Sequence, residues 1–358
     1  MRRIPIHIKL AAALLIPLVL LVVVAVVEVI QSNAERDRVR DQAAVVKATT
    51  GPGGLYTALQ DERNRAAIEL IGQSDLLTLP CDTHESCRAE TDRSLERFKD
   101  LIRPNDDEVQ EAYAAALAKL EELEALRGEV DANQGPFDIT NLDFAEQIFD
   151  AYSETIDILH TDRARLAINI GHPDLRKGAD LGLAGSRNTD IIAHIVAELL
   201  EAAVRSDEAN QLGLDQPDEF AMIGGLFGLS EKIHAGIQEQ ATGIYADAGE
   251  TLYQESEATG FRQLIPTILE TGQIQIDQLL DSVSTDRDES YYGFRINVKD
   301  IVEARADELT EAAEQRARLF QALALAALAV AVLATWLVSR SITRPLRALT
   351  RQATDMAN

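Results

Sequence analysis

Few residues in this sequence have the type and spacing to do chemistry, and the closest-set pair is Cys81 and Cys87 in CDTHESC. No other cysteine is present. In an oxidising compartment a near pair closes a small-loop disulfide, which is the simpler reading. A metal site built from Cys81, His84, Glu85 and Cys87 is the alternative, although thiolate metal sites are mostly intracellular. The six histidines (His7, His84, His160, His172, His194 and His234) are otherwise scattered without ligand spacing. No phosphate-binding GxxxxGK[ST], zinc-protease HExxH, serine-hydrolase GxSxG or kinase signature occurs. The residues therefore carry no catalytic constellation, and they call for no cofactor and no metal.

Charge narrows the partners. The formal net charge is −25 over 358 residues, which excludes a nucleic-acid binder with a general basic footprint. The charge is unevenly placed. Arg2, Arg3, Lys9, Arg340, Arg344, Arg347 and Arg351 face only Asp355 at the two ends, a balance of +6, so the long middle carries −31. By the positive-inside rule both ends are cytoplasmic and the middle is outside the cell membrane. The acidic excess reads as a solvated face that keeps an exported domain soluble.

The elements that position these residues are helices. Leu10 to Val27 is an unbroken apolar run of about 18 residues, long enough to span a bilayer. It reads as an uncleaved anchor, with a signal peptide as the competing reading. A polar helical stretch follows to about Thr49, and GPGG at Gly51 to Gly54 breaks it. Leu55, Leu59, Ala66, Leu70 and Ile71 make an apolar stripe. Further amphipathic helices run through Leu95 and Phe98, from Val109 to about Val130, and from Phe144 to about Ile168. A weak repeat relates His172–Ser186 to Gln216–Ser230, each with Pro-Asp, then clustered glycines, then Ser. No strand precedes those glycines, so they read as close helix contacts rather than a phosphate loop. Amphipathic helices follow over Asp190–Ala203 and Lys232–Ala248, and another runs from Phe261 to about Val283. Phe294 to Thr343 contains neither Gly nor Pro and could form one helix of roughly 75 Å that crosses the membrane.

No period-2 strand pattern appears, so the expected fold is all-α. Two membrane-spanning helices (10–30 and 319–338) flank an extracytoplasmic region (31–318). At roughly 290 residues that region is too large for one four-helix bundle and should form a pair. Residues 1–9 form a cytoplasmic N-terminus. In 339–358, Ile342, Leu346, Leu349, Ala353 and Met356 are spaced four, three, four, three, the seam of a helix that packs on partner helices. With Pro345 just inside its start, SRSITRPLRALTRQATDMA resembles the first helix of a HAMP module, the signal relay of bacterial receptors. HAMP-type seams work between two chains, so this resemblance implies a homodimer.

The exterior resembles the nitrate- and nitrite-sensing (NIT) domain of bacterial membrane sensors. LYTALQDERNRAA carries the family pattern LxxLQxER with Leu55, Leu59, Gln60, Glu62 and Arg63, and ETDRSL carries a following Thr-Asp helix start. In that family nitrate lies between helices of two bundles, held by an arginine from each. The resemblance places the first at Arg63, with Gln60 and Glu62 beside it. Arg63 has a second reading as a structural arginine paired with Glu62, Asp61 or a carboxylate of the other bundle. For the second ligand position the candidates are Gln240, where the family's Glu-Arg has become Glu239-Gln240, and Arg187 in the repeat.

The function these readings imply is a transmembrane receptor. It would sense a small extracytoplasmic anion, nitrate or nitrite, and relay through the second membrane helix. One alternative is the N-terminal part of an actinobacterial sensor histidine kinase, with the kinase beyond residue 358. Others are a chemoreceptor, or a membrane-anchored binding module whose basic tail holds anionic lipid.

Overall fold

In a computed structural model, residues 6–50, 54–70, 81, 83–102, 107–133, 140–168, 170–205, 217–285, 290–338 and 340 are described. Among them the chain is helical and contains no strand. The helices are α1 (Ile6–Thr50), α2 (Leu55–Leu70), α3 (His84–Ile102), α4 (Asp107–Asn133), α5 (Thr140–Ile168) and α6 (Pro173–Arg205). They continue with α7 (Pro217–Gln240), α8 (Ala246–Ala258), α9 (Phe261–Thr271), α10 (Ile276–Thr285) and α11 (Gly293–Val338). The relay positions Ile342, Pro345, Leu346, Leu349 and Met356 lie outside the described residues.

The chain divides into two compact units. One takes α1 through Arg40 and α11 from Asp307 onward. Here Glu314 meets Arg36 at 3.9 Å and Arg40 at 3.7 Å, and Arg316 meets Glu35 at 3.8 Å. Beyond these ion pairs the surface is apolar. Val23, Val24 and Val27 on α1 and Leu325, Val332 and Leu333 on α11 are exposed. Apolar side chains on helices, which bond their backbone groups internally, are compatible with lipid. Among the described residues one helix, Ser290–Ala334, is long and apolar enough to cross a membrane, with a window of mean hydropathy 2.0 that is 6% buried. Side chains before Val19 are outside the described set.

The other unit is Asp41–Ala306. In it α2, α3, α4 and α5 share one apolar core, with Leu59, Phe98, Tyr113, Leu123 and Tyr152 at its centre. A second group, α6 to α10, packs together, and α6 also meets α2 and α5. Pro173 and Pro217 each open a helix, where the missing N–H costs nothing and φ is already helical. This is the Pro-Asp start of the repeat. Each glycine segment continues into the amphipathic stretch behind it, so α6 and α7 are single helices.

Two expected helices are broken. The Phe261–Val283 helix splits into α9 and α10 because Gly272 adopts φ 63° and caps α9 through a 2.8 Å bond to the Ile268 carbonyl. The Lys232–Ala248 helix stops at Gln240, where Gly243 takes φ 68° and starts a short 3-10 turn.

The glycines of the repeat are unequal. A methyl group on Gly178 would collide with Val302 of α11 and the Tyr245 hydroxyl, and one on Gly185 would press within 3.2 Å of Phe294. Gly225 and Gly228 of the second copy face open space. Close helix approach therefore holds for α6 and α11 only. Cys81 and Cys87 form a disulfide with Cα atoms 5.3 Å apart, joining the start of α3 to the loop before it. Among the described residues no group of His, Cys, Asp and Glu could hold a metal ion.

Candidate functional site

α2 is the helix on which the site is built, and it is buried on every side. Leu55, Leu59, Ala66 and Leu70 are buried, and so are Thr57, Gln60, Glu62, Arg63, Asn64 and Arg65. A helix packed by α3, α5 and α6 at once has no solvent face, so each polar side chain must find a partner inside. They do so in two separate clusters.

The first cluster faces α3, α4 and α5. Arg127 grips the Glu62 carboxylate with both arms, at 2.7 and 3.0 Å, and the Tyr152 hydroxyl donates to it at 2.7 Å. The third arm of Arg127 reaches Asp92 at 2.8 Å. Burial alone would raise the Glu62 carboxyl, but the Arg127 guanidinium, with the Thr91 and Tyr152 hydroxyls, outweighs it and holds it below its ordinary value. Next along, Arg88 binds Asp131 with two bonds of 2.8 Å and the Arg127 carbonyl at 2.8 Å. This cluster ties four helices together, α2 to α5.

The second cluster faces α5, α6 and α11. Arg63 is fully buried, with its guanidinium 4.2 Å above the Phe149 ring. Nη1 donates to Asp190 at 2.6 Å and to Ser153 at 2.9 Å, and Nε donates to Asn64 at 3.3 Å. Nη2 makes no hydrogen bond within the protein. One turn back on α2, Gln60 donates to the Ser186 carbonyl at 3.1 Å and accepts from Arg295 of α11 at 3.3 Å. Arg295 also donates to Thr57 at 3.3 Å. Arg63 directly, through Asp190, and Arg295 indirectly, through Gln60 and Ser186, are thus both set against one turn of α6 from Ser186 to Asp190.

Other buried polar atoms of the same helices lack protein partners: both ring nitrogens of His160, the Tyr56 hydroxyl, and both amide atoms of Asn188. The His160 ring lies 4.1 Å from that of Tyr56. Burial lowers the His160 imidazole to about 3, so it is neutral at ordinary pH. Asn64 and Phe149, both touching Arg63, also line an apolar cavity of about 120 Å³ between α2, α5, α6 and α10. A buried donor without a protein partner, as Arg63 Nη2 is, suits an anion with several acceptor oxygens.

Of the sequence candidates, the structure brings Gln60 and Arg63 together. Glu62 points to the other cluster. Arg187 and Gln240 lie on exposed faces of α6 and α7 and join neither. Arg63 takes its carboxylate from Asp190 of α6, not from Glu62 or Asp61. The residue the sequence reading missed is Arg295. It sits beside the stripe Phe294, Val298, Val302, which is buried. A lone arginine flanking that stripe was the available signal, but it reads equally as the edge of a solvent face.

Comparison with known proteins agrees with this architecture. The nitrate and nitrite sensing (NIT) family profile matches residues 54–355, most of the chain. The chain belongs to that family, whose members are described as nitrate- and nitrite-sensing domains. Among solved structures, that of the NasR transcription antiterminator is similar, with a TM-score of 0.62 at 16% identity over 90% of this chain and 85% of that one. At that identity the likeness is one of fold. No functionally curated protein shows significant sequence similarity to this chain.

Proposed function

We infer that the chain is the input part of a two-pass membrane receptor that binds nitrate or nitrite in the second cluster, between α2, α6 and α11. The observation that carries this reading is two buried arginines, Arg63 and Arg295, anchored on the same turn of α6 by way of Asp190 and of Gln60 with Ser186, with Arg63 Nη2 unspent. A planar oxyanion matches the guanidinium fork and takes charge-assisted bonds that are strong in a water-poor site. In this reading Arg295 fills the second arginine position, and Arg187 and Gln240 stay outside it.

The relay follows from where Arg295 sits. It lies in the first turn of α11, which runs without interruption to Val338. An anion drawn between α2 and α11 favours one packing of that helix over another by its differential affinity for the two. The basic heptad segment Ile342 to Met356 receives the change and repacks against its copy in a homodimer, with both termini cytoplasmic and the sensing unit outside. A full switch takes about 5.5 kcal/mol, so a single small anion biases the equilibrium rather than committing it.

Titration calorimetry with nitrate on the detergent-purified full chain tests the site. Loss of one charged donor costs about 1.5–3 kcal/mol, so Arg295→Gln and Arg63→Gln should each weaken binding roughly 10- to 150-fold. Arg187→Ala and Gln240→Ala should bind as the unaltered chain does. The opposite pattern would move the site away from α11.

A further inference from the structure

Arg63 does not face the cluster as a free cation. Its Nη1 is held by the Asp190 carboxylate at 2.6 Å, while Nη2 remains without a protein partner. Asp190 is buried as well, so this is an internal ion pair and not a surface contact. Arg63 can therefore donate through Nη2 without releasing Asp190. Resting on the nitrate reading above, we propose that Asp190 sets the charge of the anion site and so restricts it to singly charged anions.

Formal charges must balance inside this low-dielectric region. Arg63 and Arg295 supply two positive charges and Asp190 removes one. The neighbouring carboxylates and guanidiniums fall in pairs of opposite sign, Asp180 with Arg176 of α6 among them. Asp157 on α5 and Arg187 on α6 both act on this region and have opposite signs. Asp162 and Arg163, adjacent on α5 and both buried, also cancel. His160 is neutral. His194 lies 3.9 Å from the Asp190 carboxylate, and its Nδ1 is directed to the Asp190 carbonyl at 2.9 Å. Arg63, Arg295 and Asp190 together thus hold a net charge of one, which nitrate or nitrite neutralises. A divalent oxyanion such as sulfate would enter with a buried negative charge left uncompensated, and an uncompensated buried charge is strongly disfavoured. Selectivity here is a difference of affinities produced by a repulsive element, not by a better fit to nitrate.

Asp190→Asn keeps the side-chain shape and an oxygen acceptor for Arg63 Nη1 but removes the charge. Calorimetry on the full chain in detergent, with nitrate and sulfate titrated separately, separates the two claims. The expected result is that the unaltered chain binds no sulfate at concentrations that saturate nitrate. Asp190→Asn should bind sulfate, with the nitrate-to-sulfate affinity ratio falling at least tenfold. Sulfate binding gained by the variant supports the charge-setting role even if nitrate itself binds nowhere, which would sink only the nitrate reading. An unchanged ratio, or no sulfate bound by a folded Asp190→Asn chain, overturns the inference. Asp190→Ser, smaller and also uncharged, is run alongside with thermal unfolding as a check on folding. If neither variant folds, Asp190 is a structural counter-ion and the inference is likewise rejected.

Discussion

Arg127 and Glu62 form the pair on which the cluster facing α3 and α4 depends, and removing either end should be costly. The Glu62 side chain is 0% exposed and that of Arg127 is 9% exposed. Replacing Arg127 by Met leaves a buried carboxylate with only the Tyr152 hydroxyl, the Thr91 side chain and the protein dipoles. Breaking a buried pair from one side costs about 3–5 kcal/mol. For a unit of this size each kcal/mol moves the thermal midpoint by roughly 2–4 °C, so a fall of about 6–20 °C is expected. Glu62→Leu should cost a similar amount by stranding Arg127, which keeps only the more exposed Asp92 and Glu124. The double variant should recover most of the loss, because two apolar side chains need no counter-charge. Thermal unfolding of the detergent-purified chain, followed by far-ultraviolet circular dichroism, gives all four corners of the cycle. Single variants that each cost under about 1 kcal/mol, the range of exposed pairs, would show that Arg127 and Glu62 do not depend on each other in this way. The pH dependence has a fixed sign. The folded Glu62 carboxyl lies below its ordinary 4.5, so its contribution is present above that value and is lost as pH falls through the folded value.

Acid should also act through the buried imidazoles. His160 is lowered by burial to about 3, and His84 to about 4 by burial and then Arg88. The unfolded chain takes up these protons first, so stability is full above about 6.5 and declines as pH falls toward 4; His160→Phe should flatten that decline in a thermal-melt series. Gly178→Ala should lower the thermal midpoint by several degrees, because its methyl meets Val302 and Tyr245, while Gly228→Ala should hold or raise it, since a helical glycine there faces open space. Reducing Cys81–Cys87 should cost about 2 kcal/mol, the entropy of a small closed loop, read as a lower midpoint in dithiothreitol that Cys81→Ser reproduces and further reductant does not deepen.

The helices were legible where local rules act alone. Pro173 and Pro217 announced α6 and α7, and the Gly- and Pro-free stretch after Gly293 announced α11. The breaks at Gly243 and Gly272 were harder, since a glycine late in an amphipathic pattern is compatible with either continuing or capping the helix. For the polar residues of α2, periodicity alone gives the wrong surroundings, and the reason is physical. Periodicity sorts side chains into apolar and polar faces, and it assigns the polar face to water. Gln60, Glu62 and Arg63 are instead enclosed by three neighbouring helices. What fixes their roles is the identity of distant partners, Arg127, Asp190 and Arg295, and a single chain read in order does not reveal those. Arg187 was offered by the repeat, but it is exposed while Asp190, three residues on along α6, is buried.

Gly178 and Gly185 lie seven residues apart on α6, and they receive Val302 and Phe294, eight residues apart on α11, in the reverse order. The two helices are therefore engaged like antiparallel toothed bars with two teeth seated. Sliding by a fraction of a turn would drive both side chains out of their recesses at once. Small thermal displacements along this seam are resisted, and a displacement that persists has to be large enough to seat the teeth again. A sensing unit geared in this way would pass on discrete steps and filter out graded tremor.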